Sequence, residues 1–271
     1  MKTLIISPMK DEGPYLLEWL AHHRALGFSD FLIYTNDCTD GTDHMLDRLA
    51  DRGLVTHKRA KQLKRGPQKS AFLDAFKSDD YASVDWVYVT DADEFLCVNT
   101  GNGQLSDLIA AYEVADVIPV TWRHFSTSGD VALNLGSVCD RYLDAEPVKA
   151  AEKSKGRFVK SLFKPSDAVM GLGVHAPKIA TSKKNNTSWG SAEWLEDANA
   201  DPTRPKSNFG YDIAQVNHYP LKSVDTYLMK RRRGRANHFN DTLGTEYWDR
   251  WNLGGEKDLS LIHISEPTRP Y

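Results

Sequence analysis

Cysteine is scarce in this chain. Cys38, Cys97 and Cys139 are an odd set with no C-x-x-C spacing. That argues against a disulfide framework and suits a reducing cytosol. Long apolar runs are lacking too. The opening Thr3-Leu4-Ile5-Ile6 is too short for a signal peptide or a membrane span, and it has no small-residue cleavage site. Gly and Pro together account for 18 + 12 = 30 of the 271 residues, too few for a collagen-like or low-complexity chain. Charge of neither sign dominates: 34 basic residues face 37 acidic ones, with a pI near 6.3, so a general nucleic-acid coat is excluded as the leading reading. There is no Walker sequence, no glycine-rich phosphate fingerprint, no G-x-S-x-G elbow and no H-E-x-x-H pattern. Internal repeats are absent as well.

What remains is an ordinary globular composition, 41% hydrophobic and 26% charged, in a chain long enough to bury a core without staples. The first half alternates strand and helix patterns. Residues 3–7, 31–34, 54–55 and 86–89 read as strands. A helix opens at Pro14 and places Leu16, Leu20 and Leu26 near one face, with Trp19 beside them. Thr42 or Asp43 can cap the next helix, and residues 68–81 read as another. Strands separated by helices imply a mostly parallel, Rossmann-like α/β sheet with flanking helices. Ligands of such sheets bind outside the carboxyl ends of the strands. Two acidic turns, Asn36 to Asp40 and Asp91 to Glu94, fall at such ends. The second half is less regular: residues 116–121 read as a strand, 183–207 as a long loop, 216–219 as short and mixed, and 223–233 as a helix ending in the basic run 230–235.

Three groups of residues carry chemistry. Asp91 and Asp93, delivered by an apolar strand, give a hard oxygen site for a divalent cation that keeps positions open for phosphate oxygens. His218 is an acceptable further ligand, and His175 competes for that role. Lys230 and Arg233 share a helical face at i, i+3 and can contact phosphates. The Asn36-Asp37-Cys38-Thr39-Asp40 turn can hydrogen-bond a base or ribose, although a plain capping turn explains Thr39 and Asp40 equally well.

These blocks together resemble a known family. Met9 to Leu20, His22-His23-Arg24 and Gly27-Phe28 before Tyr34-Thr35-Asn36-Asp37 are similar to the start of family-2-like glycosyltransferases, more narrowly the bacterial branch related to family 92. Asp91-Ala92-Asp93-Glu94-Phe95 resembles that family's D-x-D-E-F metal motif. Asn217-His218-Tyr219-Pro220-Leu221-Lys222-Ser223, then Lys230 and Arg233-Gly234, resembles its C-terminal block. The resemblance implies a glycosyltransferase A-type fold, a nucleotide-sugar donor and Mn²⁺ or Mg²⁺. It assigns Asp91, Asp93 and His218 to the metal, Asn36, Asp37 and Asp40 to the donor's nucleoside side, Lys230 and Arg233 to its phosphates, and Lys10 to donor binding. The chain departs from the family at Asp11, usually Asn, and at Gly129-Asp130, commonly Gly-His.

The expected reaction is metal-dependent, inverting transfer of a sugar from a nucleoside diphosphate to a glycan or other hydroxyl acceptor, in glycan or exopolysaccharide synthesis. Asp130 and Asp140 are the candidate general bases. A nucleotidyltransferase and a non-catalytic nucleotide- or sugar-binding module are the alternatives. Residues 1–115 are expected to form the nucleotide-sugar half and 116–258 the acceptor half of one cytoplasmic domain. Any membrane association would be peripheral, through the 230–235 basic run. Residues 259–269 read codon by codon as a translated transposase-type sequencing adapter. Residues 259–271 are therefore expected to be non-native, with the natural chain continuing beyond Asp258.

Overall fold

Strand β1 (Thr3–Met9) is buried along its whole length. Helix α1 (Gly13–Leu26) follows, then β2 (Asp30–Thr35), α2 (Thr42–Ala50), β3 (Thr56–Arg59), α3 (Pro67–Phe76), α4 (Asp79–Ala82) and β4 (Trp86–Val89). The chain continues through β5 (Glu94–Val98), α5 (Leu105–Ala111), β6 (Val117–His124), α6 (Val138–Arg141), β7 (Asp144–Ala145), β8 (Val159–Phe163), β9 (Val169–Gly171), β10 (Lys178–Ile179), β11 (Ala214–His218) and β12 (Glu256–Lys257). Further helices span Val224–Arg233 and Thr245–Trp251. This computed structural model describes residues 1–61, 66–148, 158–190, 210–233 and 243–261.

Eight strands form one sheet in the order β3-β2-β1-β4-β8-β6-β11-β5. β3, β2, β1 and β4 run parallel, as do β6 and β11. β8 is antiparallel to β4 and β6, and β5 is antiparallel to β11. Alternate side chains of the parallel half enter opposite cores, as the two-residue strand period requires. Ile5, Phe31, Ile33 and Tyr88 pack with α1 and α5, whereas Leu4, Ile6, Leu32, Val87 and Val89 pack with Ala71, Phe72 and Ala75 of α3. Both faces are covered, so these strands read as unbroken apolar runs.

Helix α1 stops at Gly27, whose φ of 108° is left-handed and lets Phe28 N–H reach the His23 carbonyl at 3.1 Å, a Schellman-type ending. Three local expectations are corrected. The third strand is Thr56–Arg59, not 54–55. It is the sheet's edge, needing only a ladder with β2, so Thr-His-Lys-Arg suffices and Leu54-Val55 returns from α2. The helix expected over 68–81 breaks at Lys77, because Ser78 accepts the Tyr81 N–H at 3.2 Å and caps a new turn. Gly41 occupies the cap position of α2, and Thr42 is already helical. Of the 216–219 stretch, residues 216–218 end a fully buried strand, β11, and Tyr219 follows it. Of the expected 183–207 loop, Thr181–Asn186 is a short 3-10 helix and 191–209 lie outside the described residues. In the tail, Leu261 is buried against the core and Ser260 Oγ accepts from Gln215 at 3.1 Å, while 262–271 lie outside the described residues.

Candidate active site

The acidic turn leaves β4 and is clamped from two sides. The indole N–H of Trp19 donates to the Asp91 and Glu94 carbonyls at 3.1 and 3.0 Å. Tyr219 N–H donates to the Asp93 carbonyl at 2.8 Å. The chain then turns directly into β5, whose antiparallel register with β11 sets Glu94 opposite His218. Parallel pairing with β6 sets His218 beside His124. Two strands thus carry distant residues to one point.

Asp93, Glu94 and His218 each bring one ligand-type atom within 4.8 Å of the others, and all three are buried. Glu94 Oε2 accepts from Thr90 Oγ1 at 2.8 Å and Asp91 N–H at 3.0 Å, and lies 3.1 Å from the Lys160 ammonium. Its other oxygen, Oε1, is buried with no hydrogen-bond partner among the described residues. A buried orphan acceptor is costly, and a cation would satisfy it. Two carboxylates and an imidazole form a set suited to Mn²⁺ or a similar divalent metal, so the residues fit the expected group. Burial drives the His218 imidazole well below its ordinary pKa, which keeps it neutral and able to ligate. Burial lifts the Glu94 carboxyl above its ordinary range despite Lys160. Burial acts upward on Asp93 as the largest single effect, but the Lys230, His218 and Lys222 charges and the Lys230 hydrogen bond together outweigh it, and the carboxyl is held far down.

The expected Asp91–Asp93–His218 grouping is therefore redrawn at one position. Asp91 turns its carboxylate onto Lys160 Nζ at 2.8 Å while still facing the cleft, and Glu94 joins the other two. Lys230 and Arg233 do reach the site. Lys230 Nζ sits 2.6 Å from Asp93 Oδ2 and 3.1 Å from the Pro220 carbonyl. The Arg233 guanidinium donates to the Lys10 and Asp11 carbonyls and to Glu12. A cleft of about 350 Å³ collects Lys10, Asp91, Asp93, His218, Lys230 and Arg233.

The remaining expected residues stand apart from this cleft. Asp40 organises its own turn, accepting Gly13 N–H and Thr42 N–H, each at 2.9 Å. Asp37 is exposed with φ 46°, and Asn36 is half-buried before it. Asp130 is ion-paired with Arg141, and Asp140 is exposed in α6; neither borders the cleft. His175 does border it, but its Nδ1 lies 3.0 Å from the Val159 carbonyl and its ring stacks on Phe158.

Sequence reasoning missed Lys160, Trp122 and His124. Lys160 is 0% exposed and holds both Asp91 and Glu94. The Trp122 ring lies 4.3 Å from the His218 ring. His124 Nδ1 lies 3.3 Å from His218 Nδ1, a contact that fixes the ring's orientation. A lysine in a predominantly apolar strand (Val159–Phe163) was the available signal, since an unpaired charge is not tolerated there.

A mostly parallel sheet thus delivers an Asp-x-Asp turn and a distant histidine into one cleft at its strand ends, the arrangement of a Rossmann-like α/β domain. The family model for glycosyltransferase family 92 matches residues 5–219, and the chain belongs to that family. It is 29% identical over 112 residues to a glycosyltransferase family 92 protein of Oryza sativa subsp. japonica, a match covering 41% of this chain and 18% of the rice protein. The chain thus spans less than a fifth of that relative's length. Among solved structures, S. aureus TarS 1–349 in complex with UDP-GlcNAc is 17% identical with a TM-score of 0.35, over 45% of this chain and 34% of that one. HddC from Yersinia pseudotuberculosis is 11% identical with a TM-score of 0.35, over 60% of this chain and 77% of that one. Among the described residues no helix is long and apolar enough to cross a membrane.

Proposed function

We propose that this domain transfers a sugar from a nucleoside-diphosphate sugar to a hydroxyl acceptor, with a divalent cation, Mn²⁺ or Mg²⁺, held by Asp93, Glu94 and His218. The observation that carries this reading is the buried three-residue group with an orphan Glu94 oxygen, of which Asp93 and His218 line the cleft where the Asp-x-Asp turn meets β11. When bound, the cation supplies Lewis-acid neutralisation of the diphosphate leaving group. The chain's own residues do the rest. Lys160 balances the two acidic side chains that flank it. Lys230 and Arg233 add positive charge along the cleft, suited to a diphosphate. Trp122, Tyr247 and Trp251 line its other end and offer apolar faces to a sugar ring. Inversion at the anomeric carbon, a role in exopolysaccharide or other glycan synthesis, a cytoplasmic setting and a peripheral membrane contact through the basic 230–233 segment belong to the same reading.

The test is to incubate the protein with a panel of nucleotide sugars and Mn²⁺ and to follow release of nucleoside diphosphate. Slow hydrolysis of one donor, lost on chelation and in Asp93→Ala, is expected. Equal release with chelator present would sink the metal assignment, and no release from any donor would sink the transferase reading.

A further inference from the structure

Transfer of a sugar to a hydroxyl needs a group that takes the hydroxyl proton. Neither Asp130 nor Asp140 borders the cleft. Each carboxylate that does is committed to a cation. Glu12 is on Arg233, Asp91 lies 2.8 Å from Lys160 and Asp93 lies 2.6 Å from Lys230. Protonating any of them would forfeit that pairing. The His218 imidazole belongs to the Asp93–Glu94 group. His175 is the other imidazole on the cleft wall.

Its surroundings hold it in one pose. His175 sits in the turn 173–176 between β9 and β10. A Cβ at Gly173 would run into the Ala176 carbonyl oxygen, so the turn closes this tightly only with glycine there. Ser161 Oγ donates to the His175 carbonyl at 2.8 Å. The ring stacks on Phe158 with centroids 4.7 Å apart and meets the Trp122 ring edge-on at 5.3 Å. Its Nδ1 lies 3.0 Å from the Val159 carbonyl oxygen. A carbonyl only accepts, so Nδ1 carries the proton, and in the neutral ring Nε2 carries the lone pair. The residue after Val159 is Lys160, which balances Asp91 and Glu94. Strand β8 therefore sets both the charge of the acidic turn and the tautomer of His175. Trp122 touches His218 as well, at 4.3 Å. His175 thus stands one indole away from the metal-type group without belonging to it.

We propose that His175 is the proton acceptor of the transfer, taking the acceptor's hydroxyl proton on Nε2. The inference rests on the transferase reading above. In this step the hydroxyl oxygen bonds to the anomeric carbon, and the bond from that carbon to the diphosphate oxygen breaks. The electron pair of the broken bond leaves with the nucleoside diphosphate, and the proton ends on Nε2. The face of Phe158 favours the imidazolium so formed.

Water takes the acceptor's place in slow donor hydrolysis, so nucleoside diphosphate release reads the same step. Native chain and His175→Gln are compared on a nucleotide-sugar panel at saturating Mn²⁺. Release should fall about a hundredfold or more in the variant. Its affinities for Mn²⁺, and for UDP or GDP with Mn²⁺, should stay within about twofold of native, which also shows that it is folded. In His175→Ala, which vacates the ring's space, imidazole added to the solution should restore release; in Asp93→Ala it should restore none. Release within about threefold of native in His175→Gln overturns the proposal. So does a Mn²⁺ affinity that falls along with release, which would make His175 a metal ligand, and so does an absence of imidazole rescue. No release from any donor by the native chain overturns the transferase reading and this inference with it. Native release that survives in His175→Gln overturns this inference alone.

Discussion

Lys160→Met removes a charge that nothing else can replace. Its ammonium and the Glu94 carboxylate are both 0% exposed and 3.1 Å apart, and Asp91 lies 2.8 Å away on the same nitrogen. Methionine preserves the volume, so the cost is electrostatic. Breaking a buried pair by deleting one partner strands the other, at about 3–5 kcal/mol. For a chain of this size about 2–4 °C of Tm accompanies each kcal/mol, giving a drop of about 6–20 °C. The sign with pH follows from the stranded group: a protonated Glu94 needs no counter-charge, so the deficit shrinks as pH falls. Lys160→Met/Glu94→Gln neutralises both fully buried groups, leaves only the partly exposed Asp91 without its lysine, and should return to within about 2 kcal/mol of the native chain. Urea unfolding at unchanged slope, followed by tryptophan fluorescence, measures all three proteins. A single variant that loses less than about 1 kcal/mol, or a double variant as unstable as the single, would refute the reasoning.

Other outcomes follow from the same geometry. Added Mn²⁺ should raise the native Tm, by about 2.7 kcal/mol of stabilisation at a hundredfold excess over Kd; Asp93→Ala and His218→Ala should abolish that shift, which differential scanning calorimetry reads directly. Trp19→Phe leaves the Asp91 and Glu94 carbonyls without the indole donor and should cost about 1–3 kcal/mol; the Mn²⁺-induced shift should shrink as the turn loosens, and an undiminished shift would count against the clamp. Burial pushes His22 down to about 4, against an ordinary value near 6.5. The unfolded chain therefore takes up this proton first, and its contribution is full above pH 6.5 and lost as pH falls toward 4, at about 1.4 kcal/mol per unit. His22→Gln should flatten that part of a stability–pH profile, and an unchanged slope would contradict it.

What could be read in advance follows from which side chains face which core. β1, β2 and β4 are covered on both faces, so each carries a continuous apolar run (4–6, 31–34 and 86–89) that stands out. β3 is an edge with no apolar duty and hides among polar residues. β8 and β11 hide for the opposite reason. They are fully buried yet carry Lys160, Gln215, Asn217 and His218, each paired with a group distant in sequence, as Gln215 is with Asp258 at 2.8 Å. The Asp-x-Asp turn and His218 were legible from composition and order. Glu94 was quoted within the motif but not chosen, because only the β5–β11 register shows that its side chain meets His218. Lys230, expected on phosphate, also pairs with Asp93, a contact across 230 − 93 = 137 residues that no local pattern encodes.

That register has a consequence for how the chain comes together. Glu94 and His218 face one another only because β5 and β11 pair in one alignment, closing a loop of 218 − 94 = 124 residues. Long closures form late relative to local helices and hairpins, and a slip of one residue would turn either side chain to the opposite face. Metal affinity at the proposed site would therefore be a property of the finished sheet. A chain arrested with its first four strands docked would hold the Asp-x-Asp turn and still lack the site. Tight Mn²⁺ binding, followed in time during refolding, would report the moment the last long-range strand pair locks.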